Sequence, residues 1–89
     1  MVQVCFTQNL AVHVDSTPLD VSATTVREAL AEAFAARPKL RSYVVDDQGR
    51  VRAHVNVFVD GRMIEDRDQQ SDRVDAASTL WIFQALSGG

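Results

Sequence analysis

The sequence predicts an α+β domain in which one main helix lies across one face of a small mixed sheet. Three observations lead there. Short segments of alternating polarity flank a single long stretch with helical periodicity. An Asp60-Gly61 pair sits between two apolar runs, which is a strong hairpin signal. The order strand, strand, helix, strands, loop, strand leaves one apolar helical stripe to cover one sheet face.

Taken in order, "VQVCFT" (Val2 to Thr7) sets Val2, Val4 and Phe6 against Gln3, Cys5 and Thr7, the period of a strand with one apolar face. Gln8 to Pro18 carries turn formers and reads as a loop, with room for a short extended piece at "AVHV". Pro18 leads into "LDVS", where Leu19 and Val21 share a face, and a second strand is expected antiparallel to the first. "TTVREALAEAFAAR" is the clearest helix. Thr25 with Glu28 three residues later matches a capping box, in which hydroxyl and carboxylate each satisfy an orphan backbone N–H. Val26, Leu30 and Phe34 form one stripe with Ala29 and Ala33, Arg37 sits near the negative end of the dipole, and Pro38 stops the helix.

"KLRSYVV" is ambiguous, with room for a short helical turn, and "DDQG" (Asp46 to Gly49) is a turn by its chemistry. "RVRAHVNVFVDGRMI" then predicts two strands about Asp60-Gly61, with Val55, Val57 and Val59 facing one way and His54, Asn56 and Phe58 the other. "EDRDQQSDRVDAAS" is polar and reads as a long surface connection. The last strand is "TLWIFQA", with Leu80 and Ile82 on one face and Trp81 and Phe83 on the other. If Leu80 and Ile82 meet the helix, then Phe58, Trp81 and Phe83 form an aromatic cluster where a single-layer sheet meets water.

Composition narrows the function. Eighty-nine residues make one domain, and 46% apolar with 24% charged residues is ordinary for a globular protein. Cys5 is the only cysteine, so an internal disulfide and a cysteine-ligated cluster or structural zinc site within one chain are excluded. A net charge of -3 without a basic stripe argues against nucleic acid, and the lack of a long apolar run or leader argues against membrane and for the cytoplasm. His13 and His54 have no neighbours that suggest a catalytic triad. No glycine loop is built to cradle phosphate, and the acids of "EDRDQQSD" depart from calcium-loop spacing, so no metal is expected.

What remains is the end of the chain, "TLWIFQALSGG". Glycines there neither pack nor cap, and a chance Gly-Gly end should occur in about 0.5% of chains. A frayed end or a cloning remnant would explain it blandly. The alternative is that the Gly89 carboxylate is itself the reactive group. Such a carboxylate becomes an electrophile once converted to a mixed anhydride with AMP. The enzyme making it must admit the tail into a narrow channel, which suits Gly88 and Gly89 because they lack side chains. Ser87 prolongs the slender segment, and Leu86 is the last bulky residue and a natural stop. The exposed aromatics nearby would hold the activating enzyme.

These features resemble the ubiquitin-like sulfur carriers of the MoaD/ThiS family, which have the β-grasp fold. The resemblance spans nearly the whole chain and rests on "VQVCFT", "TTVREAL", "VNVFVDG" and the final strand running into "ALSGG". It implies a β-grasp domain over residues 1–86 and a flexible Ser-Gly-Gly tail over 87–89. It further implies adenylation of Gly89 by a ubiquitin-activating-type enzyme using ATP and magnesium, with no cofactor bound to this chain. A sulfur donor would then make a C-terminal thiocarboxylate, which serves a sulfur-accepting biosynthetic enzyme. The chain would be a co-substrate rather than an enzyme, and a monomer when alone. Many members have Gly-Asp where this chain has "DAAS", and proline where it has Gln84. "DDQGRVRAHVNVFVDGRMI" is more similar to carriers serving cysteine or siderophore-type biosynthesis, with a molybdopterin role open. A protein modifier using the same activation, and a non-covalent β-grasp binding module, are the other readings.

Overall fold

The computed structural model describes residues 1–6 and 18–84. Among them the chain forms β1 (Val2–Phe6), β2 (Leu19–Val21), α1 (Val26–Ala36), α2 (Lys39–Val44), β3 (Val55–Val59), β4 (Arg62–Met63) and β5 (Thr79–Gln84). The strands make one mixed sheet in the order β2-β1-β5-β3-β4, with β1 and β5 parallel and the other pairs antiparallel. The expected loop at 8–17, His13 within it and the residues after Gln84 lie outside the described residues.

Alternation decides which side of the sheet is covered. Val2, Val4, Val55, Val57, Leu80 and Ile82 are fully buried, and they meet Val26, Ala29, Leu30 and Ala33 of α1 in one core. Phe34 packs on its margin. The predicted stripe of α1 is therefore the face that touches the sheet. The ambiguous "KLRSYVV" resolves as α2, which adds Leu40 and Val44 to the same core. A short second helix thus shares the layer that one main helix was expected to fill.

The turn chemistry holds at both predicted places. Asp46 Oδ1 accepts from the N–H groups of Gln48 and Arg50 at 2.8 and 3.1 Å, while Gly49 takes φ +79°. At the hairpin Asp60 and Gly61 have φ of 51° and 85°, both in the left-handed region that a two-residue primed turn requires. Asp60 also accepts from the Thr79 N–H at 2.9 Å, which fastens the hairpin to the start of β5. The strand before this turn is shorter than its alternation suggests. Val51 makes an isolated bridge to Val45, and the Val55 N–H donates to the Arg52 carbonyl in a turn, so β3 begins only at Val55.

Two expectations change. At the start of α1 the Thr25 hydroxyl accepts from the Glu28 N–H at 3.2 Å, as a capping box requires. The Glu28 carboxylate, however, accepts from the N–H and hydroxyl of Thr24, both at 2.8 Å, one residue further back. The second correction concerns the segment after β4, which is more than a surface connection. Its Asp72 and Gln70 carbonyls accept from the Val26 and Arg27 N–H groups, each at 2.9 Å, and so cap the helix that Glu28 alone does not complete. Gln70, Val74 and Ser78 within it are buried.

Gln70 ties this arrangement together. Its backbone takes φ 50°, its carbonyl caps α1, and its side-chain Nε2 donates to the carbonyls of Gly49 (3.2 Å) and Arg67. The start of α1, the Gly49 turn and the loop meet on this one buried residue, the last two through its side-chain amide. Removing it would leave those carbonyls short of a donor, at a cost of about 1–3 kcal/mol. Gln70→Ala is expected to lower stability by that amount in urea denaturation. A change under about 0.5 kcal/mol would mean that water replaces the amide without loss.

Candidate functional site

The open side of the sheet is where sequence and structure meet most closely. On β5, Leu80 and Ile82 are fully buried, whereas Trp81 and Phe83 are each 39% exposed. Cross-strand register places Trp81 opposite Phe58, and Phe83 opposite Asn56. Phe58 and Phe83 meet edge to face with ring centroids 5.2 Å apart, and Trp81 lies 6.0 Å from Phe83. These spacings are those of favourable aromatic pairs. Phe58, Trp81 and Phe83 are thus brought together, on the face that the helices leave open. Leu86, Ser87, Gly88 and Gly89 lie outside the described residues.

Two residues of this face were not anticipated as part of it. Met63 pairs with Phe58 across the hairpin and is 49% exposed. Cys5 pairs with Trp81 on the other side, so Cys5, Trp81, Phe58 and Met63 form one row across four strands. The signal for Met63 is present in the sequence. A two-residue turn at Asp60-Gly61 fixes Val59 opposite Arg62 and therefore Phe58 opposite Met63. The place of Cys5 depends on β1 lying beside β5, which local sequence does not reveal.

Cys5 is buried, and its thiol is pushed above the ordinary cysteine range by that burial and, second, by the charge of Asp20. Both effects disfavour the thiolate, so this cysteine is a small packing residue rather than a nucleophile. Towards the β2 edge the face turns polar, where Gln3 pairs with Asp20. The apolar part is therefore confined to β5, β3 and β4, with Cys5 at its border.

The polar loop 65–78 offers a second cluster of acids, and its chemistry is local. Asp66 accepts from the N–H groups of Gln69 and Ser71 and from the Ser71 hydroxyl at 2.6 Å, which hold its carboxyl below the usual range, the hydroxyl contributing most. Asp72 accepts from the N–H groups of Glu65 and Asp66. These oxygens shape the loop that caps α1. His54 is half-buried just before β3, and no triad forms around it among the described residues.

The two faces of β5 should respond differently to truncation. Ile82→Ala opens a cavity in the core and is expected to cost about 2–5 kcal/mol. Phe83→Ala removes a partly exposed ring and is expected to cost distinctly less. Thermal denaturation of the two variants checks the order, and a Phe83→Ala protein less stable than Ile82→Ala would contradict the assignment of faces.

Comparison with known proteins agrees with this architecture. The ThiS family profile matches residues 6–89. No curated protein sequence matches the chain. The crystal structure of SAMP1 from Haloferax volcanii superposes with a TM-score of 0.80 at 28% identity, covering 99% of this chain and 98% of that one. A chain in the crystal structure of the Amycolatopsis orientalis BexX/CysO complex gives a TM-score of 0.85 at 20% identity, with 100% of each chain covered. The solution structure of the small archaeal modifier protein 1 from Methanosarcina acetivorans gives 0.80 at 19%, covering 99% and 95%. At these lower identities the last two speak to the fold alone. With the family match running across nearly every element described above, the chain belongs to the ThiS family and has the ubiquitin-like β-grasp fold of small carrier and modifier proteins.

Proposed function

We propose that this protein is a sulfur carrier whose reactive group is the Gly89 carboxylate. A ubiquitin-activating-type enzyme, using ATP and magnesium that belong to it, adenylates that carboxylate. A sulfur donor then displaces AMP and leaves a thiocarboxylate, which delivers sulfur to a biosynthetic enzyme of the cysteine or siderophore type, or to molybdopterin synthesis. The chain itself is the co-substrate and performs no catalysis.

One observation carries this reading. Two members of the exposed aromatic cluster, Trp81 and Phe83, stand on β5, and the sequence after Gln84 is "ALSGG". A partner that grips Phe58, Trp81 and Phe83 is thereby held beside the chain end it must activate, with Leu86 and Ser87 leading to Gly88 and Gly89. A terminal carboxylate with a pKa near 3.5 is ionised at neutral pH and unreactive towards nucleophiles until it is activated. Docking and chemistry therefore need each other. The modifier reading is favoured by one relative: the Haloferax volcanii protein, at 26–28% identity, is by name a small archaeal modifier. In that reading the same adenylate meets an amine of another protein instead of sulfur.

Intact mass separates the two after incubation with an activating enzyme, ATP and sulfide. A gain of about 16 mass units, oxygen replaced by sulfur, is the carrier's product, whereas covalent protein adducts are the modifier's. Deleting Gly89 should abolish both while leaving the melting temperature unchanged, because the described core ends at Ile82. A truncated chain that still accepted sulfur would sink the terminal-carboxylate mechanism. Phe83→Ala, with the tail intact, should weaken binding to the activating enzyme about thirtyfold, the effect of losing a central anchor worth about 2 kcal/mol. Unchanged affinity in titration calorimetry would remove the aromatic face from the docking surface.

A further inference from the structure

The aromatic cluster lies on the open side of the sheet, and the helix layer on the other side carries a feature of different chemistry. Arg27 of α1 and Arg41 of α2 line one cleft of about 130 Å³, together with the buried Leu30 and Val45. Ala31 and Phe34 extend its apolar wall along α1, and Gly49 and Gln70 close it from the loops. Backbone and side-chain hydrogen bonds hold these parts in place. The Gln70 carbonyl accepts from the Arg27 N–H at 2.9 Å, and the Gln70 amide donates to the Gly49 carbonyl at 3.2 Å. The Arg41 carbonyl accepts from the Val45 N–H at 2.9 Å. Both cations therefore stand on helices whose ends are fixed, the kind of frame that presents a charge at a constant place.

The charge of this cleft is unmatched. The protein as a whole is negative, at -3, yet no acid lines the cleft. Helical neighbours three or four positions from Arg27 are Ala23, Thr24, Leu30 and Ala31, so none pairs with it. For Arg41 they are Arg37, Pro38, Val44 and Val45, again without an acid. The acids nearest in sequence are engaged elsewhere. Glu28 accepts from the N–H and hydroxyl of Thr24, and Asp46 accepts from the N–H groups of Gln48 and Arg50 and pairs with the Arg50 guanidinium at 3.6 Å. Arg27 donates to Gln69 Oε1 at 3.2 Å, a neutral acceptor that leaves its charge uncompensated. The Arg41 side chain makes no hydrogen bond or ion pair among the described residues. By contrast, the cleft lined by Arg62 and Arg73 also holds Asp60, Glu65 and Asp72.

We propose that this cleft docks an acidic segment of a partner protein, with carboxylates on the Arg27 and Arg41 guanidinium groups and an adjacent apolar side chain between them. The planar guanidinium matches a carboxylate with two parallel N–H donors. The space suits one side chain, since an apolar cavity of about 150 Å³ takes up one benzene. A protein carboxylate fits this cleft better than a phosphate or a nucleic acid does. Leu30, Ala31, Phe34 and Val45 give it an apolar wall that a bare phosphate would not use. The Gly49 N–H is already committed to the Asp46 carbonyl at 3.0 Å and the Gln70 N–H to the Asp66 carbonyl at 3.0 Å, so no backbone cradle is offered to phosphate oxygens. A polyanionic strand would also meet the repulsion of a net negative protein. Because Phe58, Trp81 and Phe83 stand across the sheet from α1 and α2, a partner here leaves the aromatic face free. Two partners can then be held at once, and this inference does not depend on the chemistry of Gly89.

The probe is the tripeptide acetyl-Glu-Leu-Glu-amide, titrated into the full chain and followed by nitrogen–proton correlation spectra. Saturable shifts at millimolar peptide are expected at the amides of Ala31, Val45, Gly49 and Gln70. The diamide analogue acetyl-Gln-Leu-Gln-amide, and separately the Arg27→Gln/Arg41→Gln protein, should each weaken binding about fivefold, the effect of losing two exposed ion pairs. Ala31→Met fills the cleft from an exposed helix position without touching the core, and should block the peptide while the circular dichroism spectrum stays unchanged. Phe83→Ala, on the other face, should bind the peptide as the parent does. That result keeps this site separate from the docking expected at the aromatic cluster, so the two readings fail by different measurements. No saturation, shifts centred on the aromatic face, equal binding of the diamide or of the double variant, or tighter binding of inorganic phosphate or a short oligothymidylate at the same amides would each overturn the proposal.

Discussion

At the centre of the sheet β1 and β5 run parallel, with Val4 beside Leu80 and Phe6 beside Ile82. Parallel neighbours cannot be joined by a tight turn, and everything between them must travel around the sheet. The antiparallel β2 turns the chain back towards the start of β1, and α1 then crosses the sheet on the same side as the buried valines. A single crossing covers a single face. The open face, the central position of β5 and the place of its aromatics on that face all follow from that pairing.

The crossing has to be held at its beginning, and the loop after β4 does this. Val26 and Arg27 would otherwise present unsatisfied N–H groups where the helix meets the core. The carbonyls of Asp72 and Gln70 accept from them, while Val74 donates to Thr24. Arg67 works at the other end of the loop, donating to the carbonyls of Arg52 and Val55 where β3 begins. Carboxylates shape the turns on which this depends. Glu28 is held below its ordinary range first by the Thr24 N–H, and Asp46 by the Arg50 N–H. A depressed carboxylate contributes fully above its unfolded pKa and loses that contribution as pH falls through the folded one. The cap is therefore complete at neutral pH and weakens only in acid.

Much of this was legible in the residues because it is local. The capping Thr25, the stripe from Val26 to Phe34, the Asp60-Gly61 turn and the two faces of β5 each express a period or a turn preference within a few positions. The aromatic cluster was legible one step further, by assuming that Leu80 and Ile82 face the helix. What stayed hidden depends on partners distant in sequence. Gln70 looks like any polar loop residue, and only its meeting with Gly49, Arg67 and Arg27 makes it a buried junction. Glu28 reaches back to Thr24, one residue before the capping position, while the loop supplies acceptors to the helix N–H groups that follow. Cys5 stands beside Trp81 because of which strand lies next to β1, a matter of topology that alternation cannot state.

The division of β5 into two faces also bears on how so small a protein combines stability with recognition. Every large side chain it needs for the core alternates with one it does not, so folding can be completed without calling on Trp81 or Phe83. Exposed rings carry a risk of aggregation, which is limited here by three features. The rings satisfy part of their surface on one another, at centroid distances of 5.2 and 6.0 Å. The sheet's two edge strands are only three and two residues long, too short to template another strand. The net charge of -3 adds general repulsion between copies. The remaining exposed area is thus the surface that the proposed docking would use.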